Sequence, residues 1–234
     1  MQAKPIEVVL KDVEYKYRNK AHLVLDGITI SFRSGETTII FGPNGAGKTT
    51  LMKIAALIYK PSRGDVLVNN SNFWSLPENK KIEIRREITF VHEKPIIVRG
   101  TVLENLLLGL SIRGKNGKEV YERTIKLMEE LKIEDILEKD ARKLSSGQMQ
   151  LVSIVRAISI EPSLLFLDEP FSHLDKERRA ILERILREEL RETGIVMTSH
   201  DEGIISRFQN SRVIYMENGK AILLDRAHSF GPSS

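Results

Sequence analysis

A glycine-rich segment at residues 42–50 constrains the fold of this 234-residue chain more than any other feature. Its glycines, lysine and threonine follow the spacing G-x-x-x-x-G-K-[ST], which is typical of a loop that wraps a phosphate group. The apolar run at 37–41 predicts a buried strand before the loop, and the run at 51–57 predicts a helix after it. This order places backbone N–H groups and a helix N-terminus around an anion, so it predicts a nucleotide site.

The residue types in this loop indicate how a nucleotide would be held. Lys48 can reach the β and γ phosphates, and the Thr49 hydroxyl can ligate Mg²⁺. The candidate nucleotide-binding residues are Gly42, Pro43, Asn44, Gly45, Ala46, Gly47, Lys48, Thr49 and Thr50. The loop alone fits GTPases, kinases, motors and transport ATPases, and a flexible turn with a solvated lysine is the simpler alternative, so other residues must decide.

Composition excludes several other classes of protein. The chain has no cysteine, which excludes disulfides, iron–sulfur ligation and thiol catalysis by this chain. No apolar run approaches the roughly 18 to 20 residues that cross a bilayer, and the N-terminus lacks the apolar core of a secretory signal, so we expect a soluble, cytoplasmic protein. The 36 basic and 32 acidic side chains are interspersed, so no nucleic-acid partner is expected despite the net charge of +4.

The periodicity of apolar residues changes along the chain. Residues 6–41 alternate apolar and polar side chains, which predicts antiparallel strands, whereas residues 101–143 have helical periodicity in two stripes with a breaker at 113–117. Strand signals then return with helices between them at 164–167, 194–198 and 213–216. We therefore predict an α/β fold with a mostly parallel sheet, an N-terminal antiparallel β subdomain and a helical insert.

These segments are expected to form a single domain over residues 1–228. Residues 1–100 would contain the β subdomain and the first part of the core, residues 101–150 a helical subdomain, and residues 151–228 the rest of the core. Residues 229–234 combine turn-forming residues with no periodicity, so we expect a disordered tail or a remnant of cloning there.

The strand at 164–167 ends in two acids that add chemistry to the phosphate loop. Asp168 and Glu169 follow it directly, and ligands of α/β proteins bind at the carboxyl ends of the strands. Asp168 is placed to hold Mg²⁺, directly or through water, and Glu169 can polarise an attacking water as a general base. An exposed acidic turn or a helix cap is the alternative interpretation.

The segment Leu144-Ser145-Ser146-Gly147-Gln148 precedes this strand and opens a predicted helix. On its own it would more often be an ordinary N-cap, but the order of the three motifs resembles the ATP-binding cassette (ABC) superfamily from residue 6 to about residue 225. The resemblance implies a P-loop NTPase (RecA-like) core that uses ATP and Mg²⁺. It also implies that Ser145, Ser146, Gly147 and Gln148 contact the γ-phosphate of ATP bound on an opposing subunit.

Three further positions match motifs of the family. Asp175, at the end of Phe171-Ser172-His173-Leu174-Asp175, resembles the D-loop residue that acts across the dimer. His200 resembles the switch histidine, which would contact the γ-phosphate and orient Glu169 or its water. Tyr17 resembles the aromatic residue that stacks on adenine, with Tyr15 as the alternative.

Two positions depart from the usual form of the family. Ser146 stands where the family has glycine, and Glu93 stands at the glutamine of the Q-loop. A carboxylate at Glu93 could still hold Mg²⁺ or water, but it adds negative charge beside the γ-phosphate. These departures bear on the rate of turnover and not on the fold.

The resemblance implies an ATPase subunit that powers transport. ATP would close a head-to-tail dimer, expected to be a homodimer, and hydrolysis would reopen it. Separate transmembrane permease subunits would dock near residues 93–102 and hold the chain at the cytoplasmic face of the membrane, and the motif variants resemble those of importers. Two alternatives stay open: a soluble non-transport ABC ATPase, for example of the iron–sulfur assembly type, and a regulatory cassette with little turnover.

Overall fold

The computed structural model describes residues 5–18, 22–112, 118–201 and 203–224. The breaker expected at 113–117 and the tail expected at 229–234 lie outside the described residues. The strands are β1 (Glu7–Tyr15), β2 (Leu25–Arg33), β3 (Thr37–Phe41), β4 (Arg63–Val68), β5 (Ser71–Asn72), β6 (Ile88–Val91), β7 (Leu164–Leu167), β8 (Gly194–Thr198), β9 (Arg212–Glu217) and β10 (Lys220–Leu224). The helices are α1 (Lys48–Ala55), α2 (Glu78–Arg85), α3 (Val102–Ile112), α4 (Lys118–Glu130), α5 (Ser146–Ser159), α6 (Lys176–Glu188) and α7 (Gly203–Arg207).

The strands form two sheets. A four-stranded antiparallel sheet has the order β2-β1-β4-β5, and a six-stranded sheet has the order β10-β9-β3-β8-β7-β6. In the six-stranded sheet every pair is parallel except β9 with β10, which are joined by a hairpin turn at Asn218-Gly219. The predicted α/β architecture with an antiparallel β subdomain is confirmed.

Burial explains why the central strands are so apolar. Every residue of β7 and β8 is buried, because helices and the antiparallel sheet cover the two faces of the six-stranded sheet. β1 instead alternates buried and accessible residues, as expected of a strand with one solvated face. Two clusters of apolar side chains lie on either side of the six-stranded sheet, one of them shared with the antiparallel sheet.

The helical insert packs on α5. α3 and α4 both contact α5, and two short 3₁₀ turns at Glu134–Ile136 and Ala141–Lys143 connect α4 to it. α5 continues through residue 150, so the expected boundary between insert and core falls inside a helix. Within the four described stretches of chain, no helix is both long enough and apolar enough to cross a bilayer.

Candidate active site

The carboxyl ends of β3, β7 and β8 open onto a cavity of about 390 Å³. β3 leads into the phosphate loop, β7 into the acidic pair and β8 into the histidine, so three neighbouring strands bring the predicted motifs together. The predicted residues that line the cavity are Tyr17, Asn44, Gly45, Ala46, Gly47, Lys48, Thr49, Thr50, Glu93, Asp168, Glu169 and His200. Val24 also lines it and was missed, because an apolar residue before a strand carries no sign of a ligand.

The lysine of the loop is held by backbone carbonyls. Lys48 Nζ donates to Gly42 O at 2.6 Å and to Pro43 O at 3.1 Å, so these two residues position the ammonium and do not line the cavity themselves. Burial lowers the pKa of Lys48, while the carboxylates of Glu169 and Asp168 act in the opposite direction. The ammonium therefore faces the cavity as a buried positive charge between two acids.

Gly42 fixes the start of the loop against β9. Its φ is 142°, and a Cβ at this position would lie 2.0 Å from Met216 O. No side chain fits there without moving the backbone of one of the two segments. The glycine thus allows the loop to turn directly over the sheet.

Thr49 and Asp168 form the pair that could hold a divalent cation. Thr49 Oγ1 donates to Asp168 Oδ2 at 2.9 Å, and Asp168 is only 4% exposed. One hydroxyl and one carboxylate suit Mg²⁺, which usually takes few protein ligands and completes its shell with phosphates and water. Among the residues that the structure describes, no group of three or more His, Cys, Asp or Glu could hold a metal ion, so the phosphates would have to contribute ligands.

Glu169 has an unusual backbone conformation. Its φ of 49° is in the left-handed region, which is uncommon for a residue with a side chain. His200 Nε2 lies 3.1 Å from Glu169 Oε1, a buried oxygen that has no hydrogen-bond partner among the described residues. Burial raises the pKa of Glu169 above that of an ordinary glutamate, and His200 and Lys48 oppose this shift, so the carboxyl group is a candidate for proton transfer.

Thr198 links the two acids and was missed by sequence reasoning. Its hydroxyl donates to Asp168 Oδ1 at 2.8 Å and accepts from the Glu169 N–H at 2.8 Å. Thr198 is 0% exposed. The only sign in the sequence was a polar residue at the end of an otherwise apolar strand. This sign is weak, because threonine is β-branched and is common in strands in any case.

The loop after His200 is anchored to two helices. Asp201 pairs with Arg207 of α7 at 2.6 Å and with Arg179 of α6, and its carboxylate also accepts from the Gly203 N–H at 2.8 Å. These partners lower the pKa of Asp201 to about 2, with Arg207 making the largest contribution. His200 is therefore presented from a fixed loop although its own side chain is half exposed.

Tyr17, and not Tyr15, lies at the cavity. The Tyr17 hydroxyl is hydrogen-bonded to Thr50 Oγ1 at 3.0 Å, and its ring meets that of Tyr15 edge-on. Tyr15 instead stacks on Tyr59 with 5.6 Å between ring centroids and packs against the core. An adenine stacked on Tyr17 would thus rest on an aromatic cluster.

The remaining predicted residues do not line the cavity. Ser145 caps α5 in a capping box, in which its hydroxyl accepts from the Gln148 N–H and the Gln148 side chain accepts from the Ser145 N–H. Ser146 and Gly147 begin that helix, and Asp175 caps α6 by accepting from the Arg178 N–H at 2.9 Å. The ordinary N-cap geometry and the resemblance are therefore compatible, since a capped helix N-terminus still attracts an anion.

A family model described as "ABC transporter" matches residues 25–172, more than half of the chain. The chain belongs to the ABC transporter family. The predicted family and P-loop NTPase fold are thereby confirmed.

The chain is similar to ATP-binding subunits of known transport systems and to solved ABC structures. It is 34% identical over 199 residues to the tungstate uptake system ATP-binding protein TupC of Peptoclostridium acidaminophilum, covering 84% of this chain and 89% of TupC. It is 35% identical over 209 residues to the arginine transport ATP-binding protein ArtP of Escherichia coli K12, covering 86% of each. It also resembles the ATP-binding cassette MJ0796, solved as a dimer in a post-hydrolysis state with ADP and Pi, at 27% identity and a TM-score of 0.78, over 93% of this chain and 99% of that one.

These similarities define the biochemical activity. The ABC subunit binds and hydrolyses ATP, with Mg²⁺ as the usual partner ion, and so powers transport. It acts with separate transmembrane permease subunits and with a second ABC subunit, and ATP drives closure of the dimer. The predictions of an ATPase, of ATP and Mg²⁺ as its cofactors, and of permease subunits and a second ABC subunit as its partners are confirmed.

Proposed function

We propose that this ABC subunit energises the import of a small solute, and that it does so at the cytoplasmic face of the membrane through its permease. The tungstate uptake named for TupC supports the direction, and tungstate and arginine, which is named for ArtP, are both small solutes. The observation that carries the ATPase assignment is that Lys48, the Thr49–Asp168 pair and the Glu169–His200 pair surround one cavity. The presence of a candidate general base, Glu169, also disfavours the alternative of a regulatory cassette with little turnover, because such a cassette needs no general base.

Each side chain has a proposed task in hydrolysis. Lys48 binds the β and γ phosphates as a buried cation, and the loop N–H groups surround them. Thr49 and Asp168 would hold Mg²⁺, which neutralises charge that develops on the phosphates. Glu169 accepts a proton from the attacking water, and His200 orients that carboxylate from 3.1 Å.

A second subunit is proposed to complete the γ-phosphate side of the cavity. Ser145, Gly147 and Asp175 do not line the cavity, and we assign them to the ATP of the second subunit. The capped N-terminus of α5 suits a phosphate, because its free N–H groups and positive dipole end face an anion. Glu93 lines the cavity and is assigned to the water or the metal shell there, and Tyr17 to the adenine.

Replacement of Gly147 by alanine is expected to block dimer closure without blocking ATP binding. A Cβ at residue 147 would lie 2.5 Å from His173 O, so the N-terminus of α5 must move away from the loop that carries Asp175. We expect ATP hydrolysis to fall by about 10²-fold or more, as when one transition-state donor is lost. Phosphate release and light scattering with ATP measure the two effects.

Gly109→Ala is the matched control for this variant. It adds the same methyl group to another helix, α3, where the nearest atom, at 3.2 Å, belongs to the flexible side chain of Arg156 and not to backbone. We expect Gly109→Ala to dimerise with ATP as the parent does. A Gly147→Ala protein that dimerises and hydrolyses ATP normally would contradict the assignment of this helix to the second subunit's nucleotide.

The permease is proposed to dock at the segment from Glu93 to Val102. Ile96 is 58% exposed and Val98 is 44% exposed, so the segment presents aliphatic side chains to a partner. Its backbone is fixed, because Arg156 donates to Ile96 O at 2.7 Å and the Asn105 side chain bonds both the N–H and the C=O of Val98. Motion at the cavity would therefore reach a bound permease through ordered backbone.

Membrane recovery of the chain with its permease tests this function. A tagged chain is co-expressed with candidate permease subunits, membranes are solubilised in mild detergent, and tungstate and arginine uptake are measured in the same cells. We expect the parent to co-purify with a permease and to support uptake, and Ile96→Asp to lose both. Ile222→Asp is the control, because Ile222 is 54% exposed on β10, away from the docking segment. A parent chain that remains entirely in the soluble fraction would support the non-transport alternative.

A further inference from the structure

The Thr198 side chain of β8 contacts both acids of the site through its hydroxyl. It ends β8, it is fully buried, and its Oγ1 bonds Asp168 Oδ1 and the Glu169 N–H at 2.8 Å each. A hydroxyl can donate one hydrogen bond and accept another, so both of its hydrogen-bonding roles are used by consecutive residues of β7's end. Such a bridge fixes the Asp168 side chain and the Glu169 backbone with one group.

The bond to Asp168 decides which oxygen faces the nucleotide. Thr198 occupies Oδ1, while Thr49 donates to Oδ2 at 2.9 Å. Because Thr49 belongs to the phosphate loop, Oδ2 is the oxygen that would face a cation held by Thr49 and Asp168. Without Thr198 the carboxylate could rotate about its terminal torsion, since this torsion is broad for Asp.

The bond to the Glu169 backbone holds a conformation that is otherwise disfavoured. Glu169 has φ 49°, and its N–H has Thr198 Oγ1 as partner. Strained residues of this kind persist where the surroundings over-determine them. The same conformation sets the direction of the side chain, which meets His200 Nε2 at 3.1 Å.

We propose that Thr198 is a positioning residue that orients Asp168 toward the metal and Glu169 toward the attacking water at the same time. This inference rests on the proposed roles of the two carboxylates. Supporting residues around a metal site typically change metal affinity or activity by 10- to 100-fold when they are replaced. Thr198 acts through two ligand-facing groups at once, so both quantities should respond.

Thr198→Val tests this role, because valine keeps the shape of threonine and removes its hydrogen bonds. We expect kcat for ATP hydrolysis to fall by about 10- to 100-fold and the Mg²⁺ concentration for half-maximal rate to rise by about 10-fold. Binding of ATP in EDTA should not change, because it does not depend on Asp168 or Glu169. Thr198→Ser keeps the hydroxyl and should restore most of the rate and the Mg²⁺ response.

A purely structural role predicts a different pattern. Thermal unfolding is therefore measured beside kinetics, and Thr198→Cys replaces Thr198→Val if the latter does not fold. The inference is overturned if Thr198→Val keeps the parent's kcat and Mg²⁺ dependence, or if Thr198→Ser loses activity as Thr198→Val does. Asp168→Asn tests the proposed metal role of Asp168 separately. If the Mg²⁺ dependence of Asp168→Asn matches the parent's, that metal role is wrong and the inference about Thr198 fails with it. If Asp168→Asn has an altered Mg²⁺ dependence while Thr198→Val behaves like the parent, only the inference about Thr198 is refuted.

Discussion

Replacement of Glu169 by glutamine is expected to lower kcat for ATP hydrolysis by about 10²- to 10⁴-fold, the usual contribution of a general base. Glutamine keeps the size of the side chain but cannot take a proton from water. ATP binding should persist, because Lys48 and the loop remain in place. With ATP, light scattering should detect a stable dimer of the variant, since the step that reopens it is blocked.

The pH dependence of hydrolysis gives a second test of the same residue. Burial raises the pKa of Glu169, and a general base is active only when deprotonated. The rate of the parent should therefore rise with pH through that raised pKa and be lost on the acidic side, at a higher pH than an ordinary glutamate would give. The residual rate of Glu169→Gln should lack this acidic limb.

Glu188→Gln is the matched control for this experiment. Glu188 is exposed on α6, so the substitution repeats the chemical change away from the cavity. It should leave the rate, the pH profile and the dimerisation unchanged. If Glu169→Gln hydrolyses ATP at the parent's rate, the base is another group and the proposed mechanism is wrong.

The sequence predicted the elements that carry strong local signals. The apolar runs at β3, β7 and β8 are long enough and sufficiently β-branched to identify buried strands, and the motifs follow them directly. Once these strands are parallel neighbours, their carboxyl ends must meet, so the cavity followed from motif order. Tyr17 lies at the cavity and Tyr15 does not, because only Tyr17 lies beyond the end of β1, and its role toward adenine stays a prediction.

Contacts that depend on three-dimensional register could not be predicted in this way. Thr198 bonds the end of β7 only because β7 and β8 pair with Leu167 opposite Met197, and no local pattern specifies this register. The left-handed φ of Glu169 likewise has no sign in its residue type. Val24, directly before β2, also lines the cavity and was missed, because an apolar residue at this point carries no sign of a ligand.

Replacement of Lys48 by methionine is expected to remove most of the affinity for ATP. Methionine preserves an unbranched apolar stem of similar length, so the change isolates the buried ammonium, whose loss should cost about 2–5 kcal/mol. This corresponds to a Kd increase from about 30-fold to several thousand-fold. Isothermal titration with ATP measures it, and Lys60→Met, on an exposed side chain after α1, is the control.

The charges around Lys48 predict how the effect of Lys48→Met depends on pH. Because burial lowers the pKa of Lys48, the parent should lose ATP affinity on the alkaline side at a lower pH than an ordinary lysine would allow, and Lys48→Met should show no such loss. Lys48 also opposes the raised pKa of Glu169, so the residual acidic limb of hydrolysis in Lys48→Met should move to higher pH. If Lys48→Met binds ATP as tightly as the parent, or if the acidic limb of its pH–rate profile does not move, the ammonium does not act on both the phosphates and the base. The two residues would then belong to separate functions, although one cavity contains both.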